Sequence, residues 1–449
     1  MKILFEIWGN YEDWKEVNYV YNEASNKNKT TLPLLYQEIK PDKFFIITSD
    51  TLINNLAKSS FRSPEESLDY KFLIEKVKEG VLNFADEMGL KIKKEDVMVI
   101  PGVGSFPNSE FKGNPNNFFY FLYYKIVKTI DELSDDLDAN SKIEVYLDIT
   151  HGINYTTVMT YRALKDIFSL IAFFYKDKVK FIALNSDPVV GIINNTININ
   201  INEIENIDMV PQFNFYKSPE YALLRPFSRL KKDEKEKIGK NIKCSKSELI
   251  ETCYAFAGSF SNALIPFIYY FYPGLKELEN LISNTIEFFE NNLSIENSSL
   301  DRMTIIQKVE IQPLFQFMLQ VFLIAKFLLK KYNMQRKNEL KLQELKKLLE
   351  LYNFSKILKI RLSKELNKIE TINNLETEYK DYGHYVLENY VPPKDNNIDD
   401  RNLYAHCGFA YTITQLKRSE EGILIKLKGD DENKIEEIKN MLKKHIIGA

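Results

Sequence analysis

Near the carboxyl end of this 449-residue chain stands the run Asp399-Asp400-Arg401-Asn402-Leu403-Tyr404-Ala405-His406-Cys407. It carries two side-chain types that act on phosphodiesters. An imidazole, with an unperturbed pKa of about 6.5, takes or gives a proton at neutral pH. A guanidinium keeps its charge and offers a planar fork of donors to phosphate oxygens. Together they can assist attack of a ribose 2′-OH on the neighbouring phosphate, chemistry that needs no metal and leaves a 2′,3′-cyclic phosphate. Five residues of α-helix turn through about 500°, so the side chains of Arg401 and His406 stand about 140° apart. They converge on one phosphate if Arg401 bends back at a fraying first turn, or if a second copy of the helix packs antiparallel about a two-fold axis. A histidine donating to a backbone carbonyl in a helical core is the alternative reading of His406. Asp399 and Asp400 are read as N-cap and dipole partners of the helix, and Cys407 as a buried thiol.

A second set of polar and small residues follows the β-rich runs of the first two hundred residues. Trp8-Gly9-Asn10 comes after the first run, Ser49-Asp50 after the second, Gly102-Val103-Gly104-Ser105 after the third, and Asp148-Ile149-Thr150-His151-Gly152-Ile153-Asn154 after the fourth. In open α/β sheets ligands sit outside the carboxyl ends of the strands. Thr150 is expected to cap the next helix and Gly152 to admit a ligand close to the backbone. The N–H groups of Gly152, Ile153 and Asn154 are expected to face an anion such as phosphate, with His151 and Asn154 adding side-chain hydrogen bonds. The plainer alternative is a threonine that only caps and a glycine that only turns. No GxGxxG follows the first strand and no GxxxxGK[ST] occurs, which disfavours a nicotinamide dehydrogenase or a P-loop NTPase.

The elements that must hold these residues are legible in outline. Apolar runs predict strands at Lys2–Trp8, Lys43–Thr48, Val97–Ile100, Ile143–Ile149 and Val179–Leu184. Helices are expected between them, near Thr31–Ile39, Pro64–Glu87, Asn116–Leu133 and Ile153–Phe174. That alternation argues for a parallel sheet covered on both faces. Gly191–Ile201 reads as a hairpin closing the domain. Arg229–Lys246, with eight basic and three acidic residues, reads as a solvated linker or helix face, with a nucleic-acid contact as the lesser reading. From Ser247 the pattern is helical nearly to the end, over Leu249–Phe271, Ile305–Tyr332, Leu340–Leu351, Arg361–Ile372, Glu376–Tyr390, Asp400–Leu416 and Lys434–Ile447. Gly422–Lys428 reads as a short strand. The carboxyl half is thus expected to be a helical domain and not a second sheet, giving a fold class of α/β plus all-α.

Composition narrows the function classes. Hydrophobic residues at 44% and charged residues at 27% are ordinary globular values, which excludes a disordered chain. A net charge of −3 provides no global positive field for a long nucleic acid, though it leaves a local basic groove open. Cys244, Cys253 and Cys407 form no CxxC pair, so no disulfide framework or cysteine-rich zinc site is expected, and a reducing cytoplasm is the expected compartment. Leu314–Leu329 is the longest apolar stretch; it carries Gln316, Gln320 and Lys326 and reads as a buried helix, with no membrane partner.

The turn Asp148–Asn154 after a buried strand resembles the fourth-strand motif of CARF domains, and Gly9-Asn10 fits the same family. Arg401-Asn402-x-x-Ala405-His406 resembles the Arg-x4-His motif of HEPN ribonucleases. In this order the two look like the CARF–HEPN accessory ribonucleases of type III CRISPR systems, over nearly the whole chain. The resemblance implies a Rossmann-like CARF domain over residues 1–205, a linker region over 206–246 and a helical HEPN domain over 247–449. It implies dimers or assemblies of dimers. Paired CARF domains would bind a cyclic oligoadenylate of four or six members as allosteric activator, and paired HEPN domains would degrade single-stranded RNA with no metal or other cofactor. Carried onto this sequence, His406 is the catalytic acid and base, Arg401 orients the phosphate and Asn402 supports them. Gly9, Asn10, Ser49, Gly104, Ser105, Thr150, His151, Gly152 and Asn154 line the messenger pocket. The competing readings are a CARF-bearing transcription regulator whose basic linker contacts DNA, and a ring nuclease that only degrades the messenger.

Overall fold

A computed structural model of the chain describes residues 1–56, 68–137, 141–175, 178–188, 196–207, 213, 222–242, 247–299, 302–391, 400–428 and 432–447. The chain forms two compact units. Met1–Met209, Leu223–Lys243 and Ser283–Gln312 make up the first; Val210–Ala222, Cys244–Ile282 and Pro313–Ala449 make up the second.

The first unit contains β1 (Lys2–Trp8), β2 (Val17–Tyr21), β3 (Ala24–Asn28), α1 (Leu32–Ile39), β4 (Lys43–Ser49), α2 (Tyr70–Glu87), β5 (Val97–Ile100), β6 (Gly104–Ser105), β7 (Ser109–Lys112), α3 (Asn116–Leu133), β8 (Ile143–Asp148), α4 (Asn154–Tyr175), β9 (Val179–Ser186), β10 (Thr196–Asn206), β11 (Leu224–Pro226), α5 (Lys232–Asn241), β12 (Leu293–Ser299), β13 (Arg302–Gln307) and β14 (Val309–Ile311). Its main sheet has eight strands in the order β3-β2-β10-β9-β8-β1-β4-β5. β1 is apolar over nearly its whole length and buried from Ile3 to Trp8, as a strand must be that pairs on both edges and is covered on both faces. Leu4, Ile46 and Val99 share a core with Leu35 of α1 and Val77 of α2. Phe5, one residue on and therefore on the other face, meets Phe45 and, from α4, Phe168. From β1 the chain winds one way through β4 to β5, then crosses to β8 and winds the other way to β9. The reversal lies between β1 and β8, the crevice where such sheets take ligands.

The sheet is mixed and not purely parallel. β10 runs antiparallel to β9, and β2 pairs antiparallel with β3. The expected hairpin at Gly191–Ile201 becomes a strand from Thr196 that pairs with β9; residues 189–195 lie outside the described ones. The basic stretch at Arg229–Lys246 takes the helix-face form over its described part, which contains α5 and follows β11, itself paired with β14. A segment from the carboxyl half also joins this unit. β13 pairs parallel with β7 and antiparallel with β12. Ile305–Gln312 was expected to be helix. Pro313 opens the helix, where its missing N–H costs nothing, and the residues before it are strands.

The second unit contains α6 (Ser247–Ser261), α7 (Ile265–Tyr270), the first part of α8 (Leu275–Asn291), α9 (Pro313–Tyr332), β15 (Glu339–Lys341), α10 (Leu342–Lys347), α11 (Lys356–Glu370), β16 (Lys380–Asp381), α12 (Tyr382–Val386), α13 (Asp400–Ala405), β17 (Thr414–Ser419), β18 (Gly422–Leu427) and α14 (Glu432–Ile447). α9 is long and apolar enough to cross a membrane by length and composition, yet it is buried through most of its length as the core helix of this unit. Tyr254 of α6 stacks on its Phe317 at 4.7 Å. The purely helical expectation is corrected by a four-stranded sheet in the order β15-β18-β17-β16. Three of its strands, β15, β16 and β17, overlap stretches where helix was expected. Only Tyr382–Val386 of Glu376–Tyr390 is helical, and the helix from Asp400 stops at Ala405. The stop has a local cause. Cys407 and Gly408 take left-handed φ values of 52° and 87°, and their N–H groups reach back to the Tyr404 and Leu403 carbonyls, closing a Schellman turn.

Candidate functional site

At the reversal between β1 and β8 the backbone does most of the building. The Gly9 N–H donates to the His151 carbonyl at 2.9 Å, joining the two loops. A Cβ on Gly9 would stand 2.4 Å from Ile153 Cγ1, so this approach requires glycine. On the next loop Ser49 caps a short 3-10 turn at Asp50–Asn55, its Oγ accepting from the Thr51 N–H at 3.2 Å. Asp50 is fully buried; it accepts from the Gly102 N–H at 2.7 Å and from the Tyr70 hydroxyl at 2.9 Å. Burial pushes its carboxyl up to about 7 against those hydrogen bonds. The Tyr155 hydroxyl accepts from the Val103 N–H at 3.0 Å, and a Cβ on Gly102 would lie 2.2 Å from Ser49 Oγ. Asn10 accepts from Asn55 at 2.6 Å and donates to Asp13. A small cleft lined by Gly9, Ser49, Thr51, Phe118, Ile153 and Thr156 results.

Several sequence expectations change here. Thr150 does not cap α4, which starts at Asn154. Its hydroxyl donates to Asp148 at 2.6 Å and accepts from the Ser186 N–H at 2.9 Å, tying β8 to the end of β9. Two of the three N–H groups expected to face an anion are used internally: Gly152 donates to the Ile149 carbonyl at 3.2 Å and Ile153 to Thr156 Oγ1 at 3.3 Å. The His151 ring is buried and stacks on Trp14 at 4.0 Å, so its carbonyl, and not its imidazole, shapes the loop. Burial drives that imidazole down to about 4, which keeps it neutral at pH 7. Gly104 and Ser105 are taken into β6, where Ser105 accepts from Arg302 of β13 at 2.5 Å; Gly102 and Val103 take the places nearer Ser49 and Tyr155. Asn154 remains exposed at the head of α4 with a φ of 40°, a conformation rare for a residue with a side chain. Beneath the turn, Glu6 and Asp148 face one another across β1 and β8, both buried. Burial raises both carboxyls, and Asp148 raises Glu6 further.

In the second unit Arg401 and Asn402 lie exposed on α13, which Leu403 anchors by full burial. The Schellman turn makes His406 the C-cap residue, one step beyond the helix. Its side chain is one-fifth exposed. His406 Nδ1 stands 3.0 Å from Glu365 Oε1, and the imidazole lies 4.6 Å from the Tyr411 ring. A carboxylate oxygen facing Nδ1 accepts from it, which leaves Nε2 as the ring nitrogen that Glu365 does not engage. The backbone-carbonyl partner considered from sequence is therefore replaced by a carboxylate. Cys407 is buried as expected, its thiol pushed up to about 12 by burial and therefore inert. Asp399 lies outside the described residues.

Glu365, Tyr411 and Asp50 were not among the expected site residues. Glu365 sits forty-one positions before His406, in a Lys-rich helix that reads as a solvated surface, and no local pattern marks it.

Two family models match the chain. One describes the CARF domain of the CRISPR system endoribonuclease Csx1 and covers residues 3–188; the other describes the HEPN domain of the same enzyme and covers residues 355–429. A CRISPR system endoribonuclease Csx1 of Methanocaldococcus jannaschii is 29% identical over 452 residues, spanning 94% of this chain and 87% of the relative. The first match covers the loops gathered between β1 and β8, the second contains Glu365, Arg401 and His406, and the chain therefore belongs to the Csx1 family of CRISPR-associated CARF–HEPN endoribonucleases.

Proposed function

We propose that the chain is a metal-independent, single-strand-specific endoribonuclease switched on by a cyclic oligoadenylate of four or six members. The observation that carries the cutting half is the exposed Arg401 one helix turn before a His406 whose Nδ1 is held by a carboxylate. His406 Nε2 takes the proton of a ribose 2′-OH as its oxygen bonds to phosphorus. The bond from phosphorus to the 5′-oxygen breaks, that oxygen takes a proton, and the ends are a 2′,3′-cyclic phosphate and a 5′-OH. Arg401 holds the non-bridging oxygens as charge builds on them, and Asn402 supports it. A second copy of the helix about a two-fold axis supplies the other proton-transfer group, so the working form is at least a homodimer.

The sensing half rests on the same symmetry. The cleft of one chain is small, whereas a ring with rotational symmetry is matched by two equal half-sites. Asn10 and the exposed Asn154 stand at the edge of each half-site, Gly9 and Ser49 are buried in the cleft wall, and Thr150, His151 and Gly152 set the backbone beside them. Activation is then a coupling free energy between two distinct sites. The test is cleavage of single-stranded RNA in EDTA, with and without cyclic tetra-adenylate or hexa-adenylate. Expected is stimulation by one ring and products that end in cyclic phosphate. Cleavage that stops in EDTA and returns with a divalent metal would overturn the chemistry, and indifference to both rings would overturn the gating.

A further inference from the structure

α11 grips the cutting helix at two points from one face. Arg361 and Glu365, four residues apart, are neighbours on the surface of α11. The Arg361 guanidinium donates to the Tyr404 carbonyl at 2.9 Å. That carbonyl belongs to the last turn of α13 and also accepts from the Cys407 N–H. Glu365 reaches past it to His406 Nδ1 at 3.0 Å. The carboxylate is itself fixed: Glu365 is buried, with 9% exposure, and its second oxygen accepts from the Tyr382 hydroxyl of α12 at 3.4 Å. Lys368, the next charged residue on the same helix, donates to the Tyr411 hydroxyl at 3.3 Å and lies over the rings of Tyr411 and Tyr382. The imidazole is thus set between the Glu365 carboxylate and the Tyr411 ring.

Burying a carboxylate costs free energy unless it is paired and hydrogen-bonded. A helix that had only to bury this face would carry an apolar side chain at position 365, as it does at the buried Leu362, Leu366 and Ile369. We infer that Glu365 is a positioning residue of the RNA-cleaving reaction: it holds the His406 ring in the tautomer with the proton on Nδ1, which assigns Nε2 as the nitrogen that exchanges the proton with RNA. Glu365 touches no substrate and acts through His406. The inference rests on the proposed role of His406 and deepens it. Arg361 serves the same end from the backbone side, keeping the C-cap residue at a fixed distance from the carboxylate.

The test compares E365Q, E365D and H406A in single-turnover cleavage of a fluorescent single-stranded RNA, with saturating cyclic tetra- or hexa-adenylate, whichever stimulates the wild type. An amide presents N–H as readily as C=O, so Gln fills the space without selecting the tautomer. E365Q is expected to lose at least about 10- to 100-fold in kcat, the loss seen when the partner that orients a metal-bound imidazole is removed, with KM within about twofold. E365D, a carboxylate on a shorter stem, is expected to recover part of the loss. Nitrogen NMR of histidine-labelled protein is expected to show the Nδ1–H form of His406 in the wild type and a mixture in E365Q. A kcat in E365Q within about twofold of wild type, with the same tautomer, overturns the inference. So does a loss confined to KM. If E365Q does not fold, E365D decides: partial activity with the Nδ1–H form supports the role, and full activity with a mixed tautomer overturns it. H406A separates the two levels. An active H406A defeats the reading of the site itself, while an inactive H406A beside a fully active E365Q defeats only the positioning role.

Discussion

The sensing loops and the cutting helix solve recognition in opposite ways. Between β1 and β8 the shape is made by backbone. Gly9, Gly102 and Gly152 let segments approach where a Cβ would come within 2.4 Å of another atom, and the polar side chains beneath are already bonded to one another. Around His406 the shape is made by side chains on a helix of six residues, fixed by a turn with positive φ and by two contacts from α11. On the proposed function, the first arrangement would read a ligand by fit and lose it when atoms are added, and the second would act through two named groups and lose its chemistry when atoms are removed.

The sharpest way to break that contrast is a crossed measurement. His406→Ala is expected to cut RNA cleavage by about a thousandfold, within the range for a lost acid–base group, while binding of the cyclic oligoadenylate, read by calorimetry, changes less than about twofold. A fall in binding as large as the fall in cleavage would mean that the two regions are not separate. Gly9→Ala tests the converse. Crowding of this kind costs about 1–3 kcal/mol, so messenger binding is expected to weaken about tenfold or more; unaltered affinity would show that the loop is not read by fit.

His151 provides the next largest effect. Its imidazole falls from 6.5 to about 4 through burial. Above pH 6.5 the ring is neutral in folded and unfolded chains alike and the stability is fully present. Between pH 6.5 and 4 the unfolded chain takes up a proton that the folded chain refuses, so stability is lost as pH falls, by about 3 kcal/mol at the limit. His151→Phe keeps the ring on Trp14 and removes this loss. Melting curves at pH 7.5 and 4.5 should show the variant gaining on the wild type in acid; parallel curves would place the ring in solvent. The smallest effect is Thr150→Val, expected to cost about 1 kcal/mol through the Ser186 N–H it leaves unbonded. Hydrogen exchange should quicken at Ser186 and not in the first turn of α4. Fraying of α4 instead would restore the capping role expected from sequence.

Legibility followed how local the signal was. β1, β5 and α3 begin and end where the apolar runs do, because each is long, continuous and buried. β2 and β3 escaped notice. β3 is Ala-Ser-Asn-Lys-Asn, a strand only because β2 pairs with it. β17 was read as the end of a helix that runs on from Asp400, since Leu403, Phe409 and Leu416 suggest an apolar face and a cysteine in the left-handed region has no sequence signature. The loops after β1, β4, β5 and β8 were found from their polar and small residues. Which of them face a ligand was not, as Thr150, Gly104 and Ser105 show.

Order along the chain was enough to mark the candidate sites: an Arg and a His in one short segment, and glycines and hydroxyls after buried strands, are properties of residue type and near spacing. The carboxylate that sets the His406 tautomer, the inward turn of His151, and the capture of Ser283–Gln312 by the sheet-bearing unit arise from pairings between distant residues. Such contacts are decided by which buried polar groups find partners when the elements pack, and only the folded chain holds that information.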